Sequence, residues 1–362
     1  MNMLGVIVAY NLKATKKNIG DYIQTLAAIQ FAQGREIKYL DRDTLPSVEE
    51  LSSIKTIMNG WYMLKPENFP PSSSIAPLYV SFHLAPFVAK RFFTEQTIEH
   101  LKRHEPIGCR DLNTMKMMQS HGIDAYFSGC LTLTLNHIKK YSDGNRTDDI
   151  YIVDPYVDND VTFNPFAMIR RFMRFKSASI RHRDEIIKIA NQIAKTTKEY
   201  SNKKLLFKFA TKIYTTYSKT IDLDILYNAI YVEQVLPMNM FKTEEDKYQY
   251  AENLLRKYAS AKFVVTSRIH CALPCLALET PVIFVSAKDM ERKLKPTRPG
   301  GRLDGLLNLF RNIYVRNGNS YLDKKDFNSV SKISNNYNLE NKKDYQKYRD
   351  NLIFCINEFL KR

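Results

Sequence analysis

Short apolar runs alternate along the chain with segments in which apolar positions recur at helical spacing. The first run, Leu4–Tyr10, is aliphatic and predicts a buried strand, and a helical period then extends from Gly20 to about Phe31. The same reasoning predicts strands at Ile54–Asn59, Leu78–Phe82, Ala125–Phe127, Ile150–Val153, Ala229–Gln234, Lys262–Thr266 and Pro281–Val285. It predicts helices at Asp111–His121, Glu244–Tyr258, Cys271–Leu278, Leu303–Phe310 and Asn341–Leu360. This alternation indicates an α/β fold with mostly parallel sheets.

The alternation falls into two units. A chain of 362 residues favours two domains, and a fresh strand begins at Ile150 after a polar stretch. We therefore predict an N-terminal unit over 1–147 and a C-terminal unit over 148–335. Within the second unit, residues 164–220 form a helical insertion with 14 lysines and arginines against three acidic residues.

The overall charge narrows the classes of partner. The net charge is +16, from 54 basic and 38 acidic residues, and such an excess attracts phosphorylated metabolites, anionic lipid surfaces or nucleic acid. No apolar run approaches the about 20 residues of a membrane span, and Met1–Tyr10 is interpreted as a strand and not a signal peptide. The five cysteines contain no Cys-x-x-Cys pair, which favours free thiols in a reducing cytoplasm.

The turn Ser267–His270 is the strongest chemical feature. It follows the strand Lys262–Thr266, and because Pro274 is best tolerated in a first turn, the next helix is expected to begin near 271–273. A strand's carboxyl end beside a helix N-terminus favours an anion. Arg268 would hold a phosphate or carboxylate, and His270 would transfer a proton. The alternative is that Arg268 pairs with a carboxylate and His270 is structural.

Two further turns carry candidate residues. Gly20 permits close approach of a ligand, and Asp21 is a candidate base, although Asp21-x-x-Gln24 also has the spacing of a capping box. Arg110 ends a short predicted strand and Asp111 is expected to cap the following helix. The alternative for Arg110 is an ordinary surface arginine.

The loop at 295–302 combines two glycines with Arg298 and Arg302. It is interpreted either as a lid over a phosphate or as a solvated connection. No cluster with metal-ligand spacing is visible in the sequence.

Three blocks resemble the polysaccharide pyruvyltransferase family: NIGDYIQTLA (18–27), IGCRDLNTMKMMQSHGIDAYFSGCLTLTL (107–135) and VTSRIHCALPCLALETPVIFV (265–285). The resemblance implies two Rossmann-like domains facing a cleft, similar to the GT-B architecture of glycosyltransferases. The N-terminal domain would bind the acceptor and the C-terminal domain the donor. A terminal helix over 336–362 would cross back to the first domain.

The resemblance also implies a reaction, in which pyruvate moves from phosphoenolpyruvate onto a sugar of a capsule or exopolysaccharide precursor as a ketal. By position, Arg110, Arg268 and His270 match the family's donor-binding residues, with Ser267 beside them. Gly20 and Asp21 match its N-terminal Gly-Asp pair. We assign His270 as acid or proton shuttle and Asp21 as candidate base, with no cofactor beyond the co-substrate. Weaker candidates for acceptor or phosphate binding are Gly20, Arg298 and Arg302.

The implied acceptor is a sugar on a lipid-linked oligosaccharide, which gives the basic insertion a role. Arginines alternate there with Phe166, Phe172 and other apolar residues. This pattern is typical of a helix that lies on the inner, cytoplasmic face of a membrane. The alternative is a solvated helical hairpin with an inward apolar stripe.

Three other interpretations stay open at this level. A glycosyltransferase on the same fold would bind a nucleotide sugar, with Glu233 or Glu279 on its ribose. A nucleic-acid-binding protein would use the basic segment, but no such motif is present and we predict no nucleic-acid partner. A family member without catalysis is disfavoured by the retained Arg110, Arg268 and His270.

Overall fold

The fold is taken from a computed structural model that describes residues 3–10, 15–62, 65–157, 165–197, 202–287, 301–328 and 330–362. Before residue 149 the strands are β1 (Met3–Val8), β2 (Lys16–Asn18), β3 (Glu36–Asp41), β4 (Ile54–Ile57), β5 (Gly60–Tyr62), β6 (Ile75–Leu78), β7 (Phe82–Leu84), β8 (Ile107–Cys109) and β9 (Ala125–Phe127). The helices are α1 (Ile19–Ile29), α2 (Ala89–Phe92), α3 (Glu95–Lys102) and α4 (Leu112–Ser120).

The later strands are β10 (Ile150–Val153), β11 (Ile230–Val232), β12 (Val235–Pro237), β13 (Phe263–Thr266), β14 (Val282–Ala287), β15 (Arg311–Arg316) and β16 (Asn319–Leu322). The later helices are α5 (Pro165–Arg181), α6 (Arg183–Thr196), α7 (Lys203–Tyr217), α8 (Leu223–Asn228), α9 (Glu244–Ser260), α10 (Ile269–Ala277), α11 (Lys324–Phe327) and α12 (Tyr345–Lys361).

Parallel pairing dominates the sheets, which confirms the predicted α/β class. The first half holds two four-stranded sheets, ordered β3-β1-β4-β6 and β5-β7-β8-β9, and every pairing in them is parallel. The second half holds a six-stranded sheet, β11-β10-β13-β14-β15-β16, in which only the β15–β16 pair is antiparallel. A two-stranded antiparallel sheet joins β2 to β12 and so ties the first helix to the second half.

The main hydrophobic core contains residues from both halves. Helix α1 buries Ile23 and Leu26 in it, and α10 buries Leu273 and Leu276 in the same cluster. A second core lies between the six-stranded sheet and the helices of the insertion. Burying these aliphatic side chains supplies the main stabilisation, at roughly 1.5–3 kcal/mol for each large one. The domain boundaries at 147 and 335, and the GT-B arrangement, stay predictions.

Two predicted elements are wrong in detail. The segment expected as a strand at Leu78–Phe82 connects two strands: β6 ends at Leu78 and β7 begins at Phe82, and Ser81 between them has a φ of +55°. The helix expected at Leu303–Phe310 is a series of turns with one 3₁₀ turn, Leu307–Leu309. Gly305 has a φ of +84°, a left-handed conformation that interrupts a helix.

The basic insertion is helical, as predicted, and its helices differ in orientation. Helices α6 and α7 turn an apolar stripe inward and bury Ile189, Ile193 and Ile213. Helix α5 instead leaves large apolar side chains exposed, among them Phe172 (66%) and Ile180 (67%). The inward stripe therefore describes α6 and α7 but not α5.

The terminal helix α12 begins at Tyr345, four residues later than expected. Its Tyr348 ring lies 4.9 Å from that of Phe127, centroid to centroid, and Arg35 and Lys55 reach the carbonyl of Leu360. Helix α12 thus packs on elements of the first half.

Candidate active site

The turn between β13 and α10 is shaped by a proline. Helix α10 begins at Ile269, earlier than predicted, with Pro274 in its interior and His270 in a non-helical conformation (φ −86°, ψ 20°). Proline has no N–H, so it cannot donate to the carbonyl four residues before it, which belongs to His270. That carbonyl instead lies 3.4 Å from Gln234 Nε2, which donates to it.

Gly20 and His270 are in direct contact, although 250 positions separate them. The β2–β12 pairing aligns Asn18 with Val235 and brings the start of α1 to the second half. A Cβ at Gly20 would lie 2.9 Å from His270 Cβ and 3.1 Å from its Nδ1. Glycine at 20 is therefore required by the close approach of an imidazole.

Gly20→Ala is expected to destabilise the fold, whereas alanine normally stabilises a helix interior. The added methyl group would displace His270, and overpacking of this kind costs about 1–3 kcal/mol. Urea unfolding of both proteins measures the difference. In a His270→Gly background the same substitution should cost less, because, of these close atoms, only Asn18 Oδ1, at 3.1 Å, would remain. An equal loss there would contradict the contact with His270.

His270 is a buried, uncharged imidazole. It is 8% exposed, and no described residue hydrogen-bonds its Nε2. Burial lowers its pKa well below the ordinary value, and Arg110, Arg302 and His83 lower it further. The imidazole is consequently neutral near pH 7, and its protonation will respond to any anion that neutralises these arginines.

Arg268 is paired, as the alternative interpretation held, and still lines a cavity. Its Nε donates to Asp154 Oδ2 at 2.7 Å, and the Ser267 hydroxyl donates to the Asp154 carbonyl. The Arg268 side chain remains 39% exposed. Ser267, Arg268 and Arg302 line a cavity of about 340 Å³ at the carboxyl ends of β10, β11 and β13.

Arg110 is not the surface arginine of the alternative interpretation. It is 4% exposed, and its nearest carboxylate oxygen, Asp111 Oδ2, lies 4.0 Å from Nε. That oxygen already lies 2.5 Å from His83 Nδ1. Among the described residues, Nε of Arg110 has no hydrogen-bond partner. A buried guanidinium left in this state is suited to an anionic ligand.

Arg302 belongs to the site, and its flanking residues contact the first half. Its guanidinium lies 5.9 Å from the Trp61 ring centroid, and the backbone carbonyl of Asp304 accepts a hydrogen bond from the Leu112 N–H at 3.0 Å. Burial, with repulsion from Arg110 and Arg268, lowers the pKa of Arg302 to about 10. This end of the loop is therefore packed and not a solvated connection, whereas Arg298 lies outside the described residues.

Asp21 does not cap α1, so the expected capping box is wrong. Asn18 is the N-cap and accepts from the Gly20 N–H at 3.2 Å. Asp21 stands three positions later and accepts from Asn18 Nδ2, also at 3.2 Å. Burial raises the pKa of Asp21, although Arg42, Lys17 and Arg110 oppose the shift. A raised pKa moves a carboxylate towards the range of a useful base. Asp111, by contrast, caps α4 as predicted.

The structure also adds residues that the sequence reasoning missed. Trp61, His83 and Asp154 surround the same arginines. Each lies beside or directly after a predicted strand, the signal that singled out Arg110 and Arg268. Applying that signal to every predicted strand would have found them.

Two further features concern metal binding and membrane spans. Within the described ranges, no group of three His, Cys, Asp or Glu side chains is placed to hold a metal ion. In the same part of the chain, every helix is too short or too polar to cross a membrane.

One comparison with known proteins identifies a family. The family model described as polysaccharide pyruvyl transferase matches residues 18–289. The matched range includes Gly20, Asp21, Arg110, Arg268 and His270. A comparison with curated proteins gives no match.

Proposed function

Because this chain belongs to the polysaccharide pyruvyl transferase family, we propose that it transfers pyruvate from phosphoenolpyruvate to a sugar of a polysaccharide precursor as a ketal. The observation that carries the proposal is a cluster of three arginines: Arg110 and Arg302 lower the pKa of His270, and Arg110 and Arg268 lower that of Arg302. Phosphoenolpyruvate carries a phosphate and a carboxylate, and both need such groups.

The residues at this cluster suit the steps of the reaction. His270, once protonated, gives its proton to the methylene carbon, which makes the neighbouring carbon electrophilic. A sugar hydroxyl attacks that carbon as Asp21 takes its proton, and phosphate leaves with the electrons of its C–O bond. A second hydroxyl then closes the ketal. Arg110, Arg268 and Arg302 hold the donor's negative charges while this occurs.

Calorimetry with phosphoenolpyruvate tests the donor site. We expect the wild type to bind and Arg268→Ala to bind roughly 10-fold more weakly, since one charged hydrogen-bonding group is worth about 1.5–3 kcal/mol and Arg268 is partly engaged by Asp154. A folded wild type that ignores phosphoenolpyruvate but binds nucleotide sugars would favour the glycosyltransferase alternative. The cavity beside Arg268 would then serve the nucleotide, because Tyr156, Tyr231 and Glu233 also line it.

We further propose that the acceptor is lipid-linked and that α5 rests on the inner face of the membrane. Helix α5 has no acidic residue. Its exposed apolar side chains include Ile169, Phe172 and Met173, whereas Ala178 is buried and Arg174 bonds the β15–β16 turn. An apolar face turned outward beside arginines suits an anionic bilayer surface.

Replacing Ile169, Phe172 and Met173 together with serine is expected to weaken binding to phosphatidylglycerol vesicles by at least roughly 100-fold, since each loses about 1 kcal/mol or more of apolar burial. Sedimentation at physiological salt measures it. Phe354→Ser on α12 is the matched control, because Phe354 is also exposed. If wild type and triple variant sediment alike, α5 does not contact lipid.

A further inference from the structure

The first half carries a second imidazole at the site, which the steps above do not use. His83 in β7 aligns with Trp61 of β5 in the parallel register. On the other side Arg110 follows β8, and its N–H donates to the Phe82 carbonyl at 2.8 Å. Three neighbouring strands therefore bring Trp61, His83 and Arg110 to one carboxyl edge, where open α/β sheets bind ligands.

A fixed carboxylate orients this imidazole. His83 Nδ1 lies 2.5 Å from Asp111 Oδ2, while Asp111 Oδ1 accepts from the Thr114 N–H at 2.9 Å. Burial alone would raise the pKa of Asp111, but His83, Arg110 and the Thr114 N–H hold it below the ordinary value. The ionised Asp111 keeps the His83 proton on Nδ1, which leaves a lone pair on Nε2.

The nitrogen with the lone pair is buried and lacks a hydrogen-bond partner among the described residues. His83 is 1% exposed, and no described residue hydrogen-bonds its Nε2. Within the same part of the chain, Trp61 Nε1 and Arg110 Nε also have none. Buried polar atoms are normally satisfied, so three unsatisfied atoms from adjacent strands form a surface that a polar ligand would complete.

We propose that His83, oriented by Asp111, is a second catalytic base that takes a proton from a hydroxyl of the sugar acceptor. This inference rests on the ketal chemistry proposed above. His83 is assigned to the acceptor because a lone pair on Nε2 accepts a hydroxyl proton, whereas the donor's phosphate and carboxylate need cations such as Arg110, Arg268 and Arg302.

The proton balance of a ketal requires such a group. Two acceptor hydroxyls lose protons as two C–O bonds form to the same carbon. In exchange, that carbon loses its C=C π bond, as the methylene carbon gains a C–H bond, and its C–O bond to phosphate. One proton is added to the methylene carbon from His270, and one accompanies the departing phosphate, supplied by protonated Asp21. His83 receives the proton of the second hydroxyl and returns it to solvent, from which His270 is reprotonated. No net proton, oxidant or reductant is needed.

The charges around His83 link its basicity to the donor. The pKa of His83 is lowered to about 4, chiefly by burial and also by Arg110 and Arg302, while Asp111 opposes the shift. His270 also lies within electrostatic range. When a multiply charged anion neutralises the two arginines, the pKa of His83 rises towards the range of an efficient base.

His83→Asn tests the proposal, because the asparagine amide keeps a donor near Asp111 and lacks Nε2. The probes are phosphoenolpyruvate with p-nitrophenyl hexopyranosides, and the readouts are calorimetry, phosphate release and the ¹⁵N spectrum of the histidines. We expect phosphate release to fall on the order of 100- to 10,000-fold, with phosphoenolpyruvate affinity within threefold of wild type. His100→Asn is the control, since His100 is also largely buried with a pKa lowered to about 4, but bonds Tyr79 instead.

Each outcome decides the question. Activity in His83→Asn within threefold of wild type overturns the His83 assignment and leaves the proposed function standing. If the wild type binds phosphoenolpyruvate but releases no phosphate with these glycosides, the ¹⁵N spectrum of the histidines tests the His83 assignment. A glycoside-dependent shift of His83 Nε2 supports the assignment, and an unmoved signal overturns it. A wild type that binds no phosphoenolpyruvate removes both proposals.

Discussion

Replacing Arg110 with methionine is expected to weaken phosphoenolpyruvate binding on the order of 100-fold and, at the same time, to raise the melting temperature of the free protein by a few degrees. The first effect follows because a buried guanidinium forms stronger charge-assisted bonds than an exposed one, worth about 3 kcal/mol at the upper end. The loss should exceed that of Arg268→Ala, whose guanidinium is shared with Asp154.

The second effect follows from the surroundings of Arg110 in the free protein. Its charge is buried, its Nε lacks a hydrogen bond among the described residues, and it repels Arg302. Asp111 loses the favourable charge of Arg110 but keeps its hydrogen bonds with His83 and Thr114. Methionine therefore removes a desolvated charge without leaving another buried polar group unpaired.

Calorimetry and thermal unfolding measure the two effects, and Arg103→Met, at an exposed position, is the control. A variant that loses stability together with affinity would show that Arg110 is a structural ion pair with Asp111 and not a ligand-binding group.

The second large effect is expected for His270→Asn. Loss of the group that protonates the methylene carbon should reduce turnover about 10²–10⁴-fold, while phosphoenolpyruvate affinity changes little. Phosphate release with the same glycosides measures turnover. Retention of turnover within a few fold would remove His270 from the chemistry.

Proton exchange provides an independent measurement that needs no acceptor. The pKa of His270 is lowered by burial and by Arg110 and Arg302, so it rises when phosphoenolpyruvate neutralises those arginines. At a pH below about 6.5 that lies between the pKa of His270 in the free protein and its pKa in the complex, binding of phosphoenolpyruvate must therefore be accompanied by uptake of a proton. Calorimetry in two buffers of different ionisation enthalpy should show this uptake. The same measurement on His270→Asn gives the number of protons that the ligand itself exchanges, and this number is subtracted.

Local pattern was sufficient for much of the fold. The strands Ala125–Phe127 and Ile150–Val153 are as predicted, because runs of buried residues between polar stretches encode strands without reference to the rest of the chain. Leu303–Phe310 has the apolar content of a helix and was predicted as one. Its backbone conformation is determined instead by the packing of Gly305 against Leu112. Contacts of that kind override the helical spacing of apolar residues in the local sequence.

What the sequence by itself determined is the α/β class, the family, and the placement of Arg110, Arg268 and His270 beside strand ends, since each follows from neighbours along the chain. Only the tertiary structure decided that Gly20 touches His270 and that Arg268 pairs with Asp154. It also decided that, in the part of the chain that the structure describes, Arg110 Nε and His83 Nε2 have no hydrogen-bond partner. These facts depend on which distant segments meet. The β2–β12 pairing and the shared hydrophobic core determine which segments come into contact, and neither can be inferred from a single stretch of sequence.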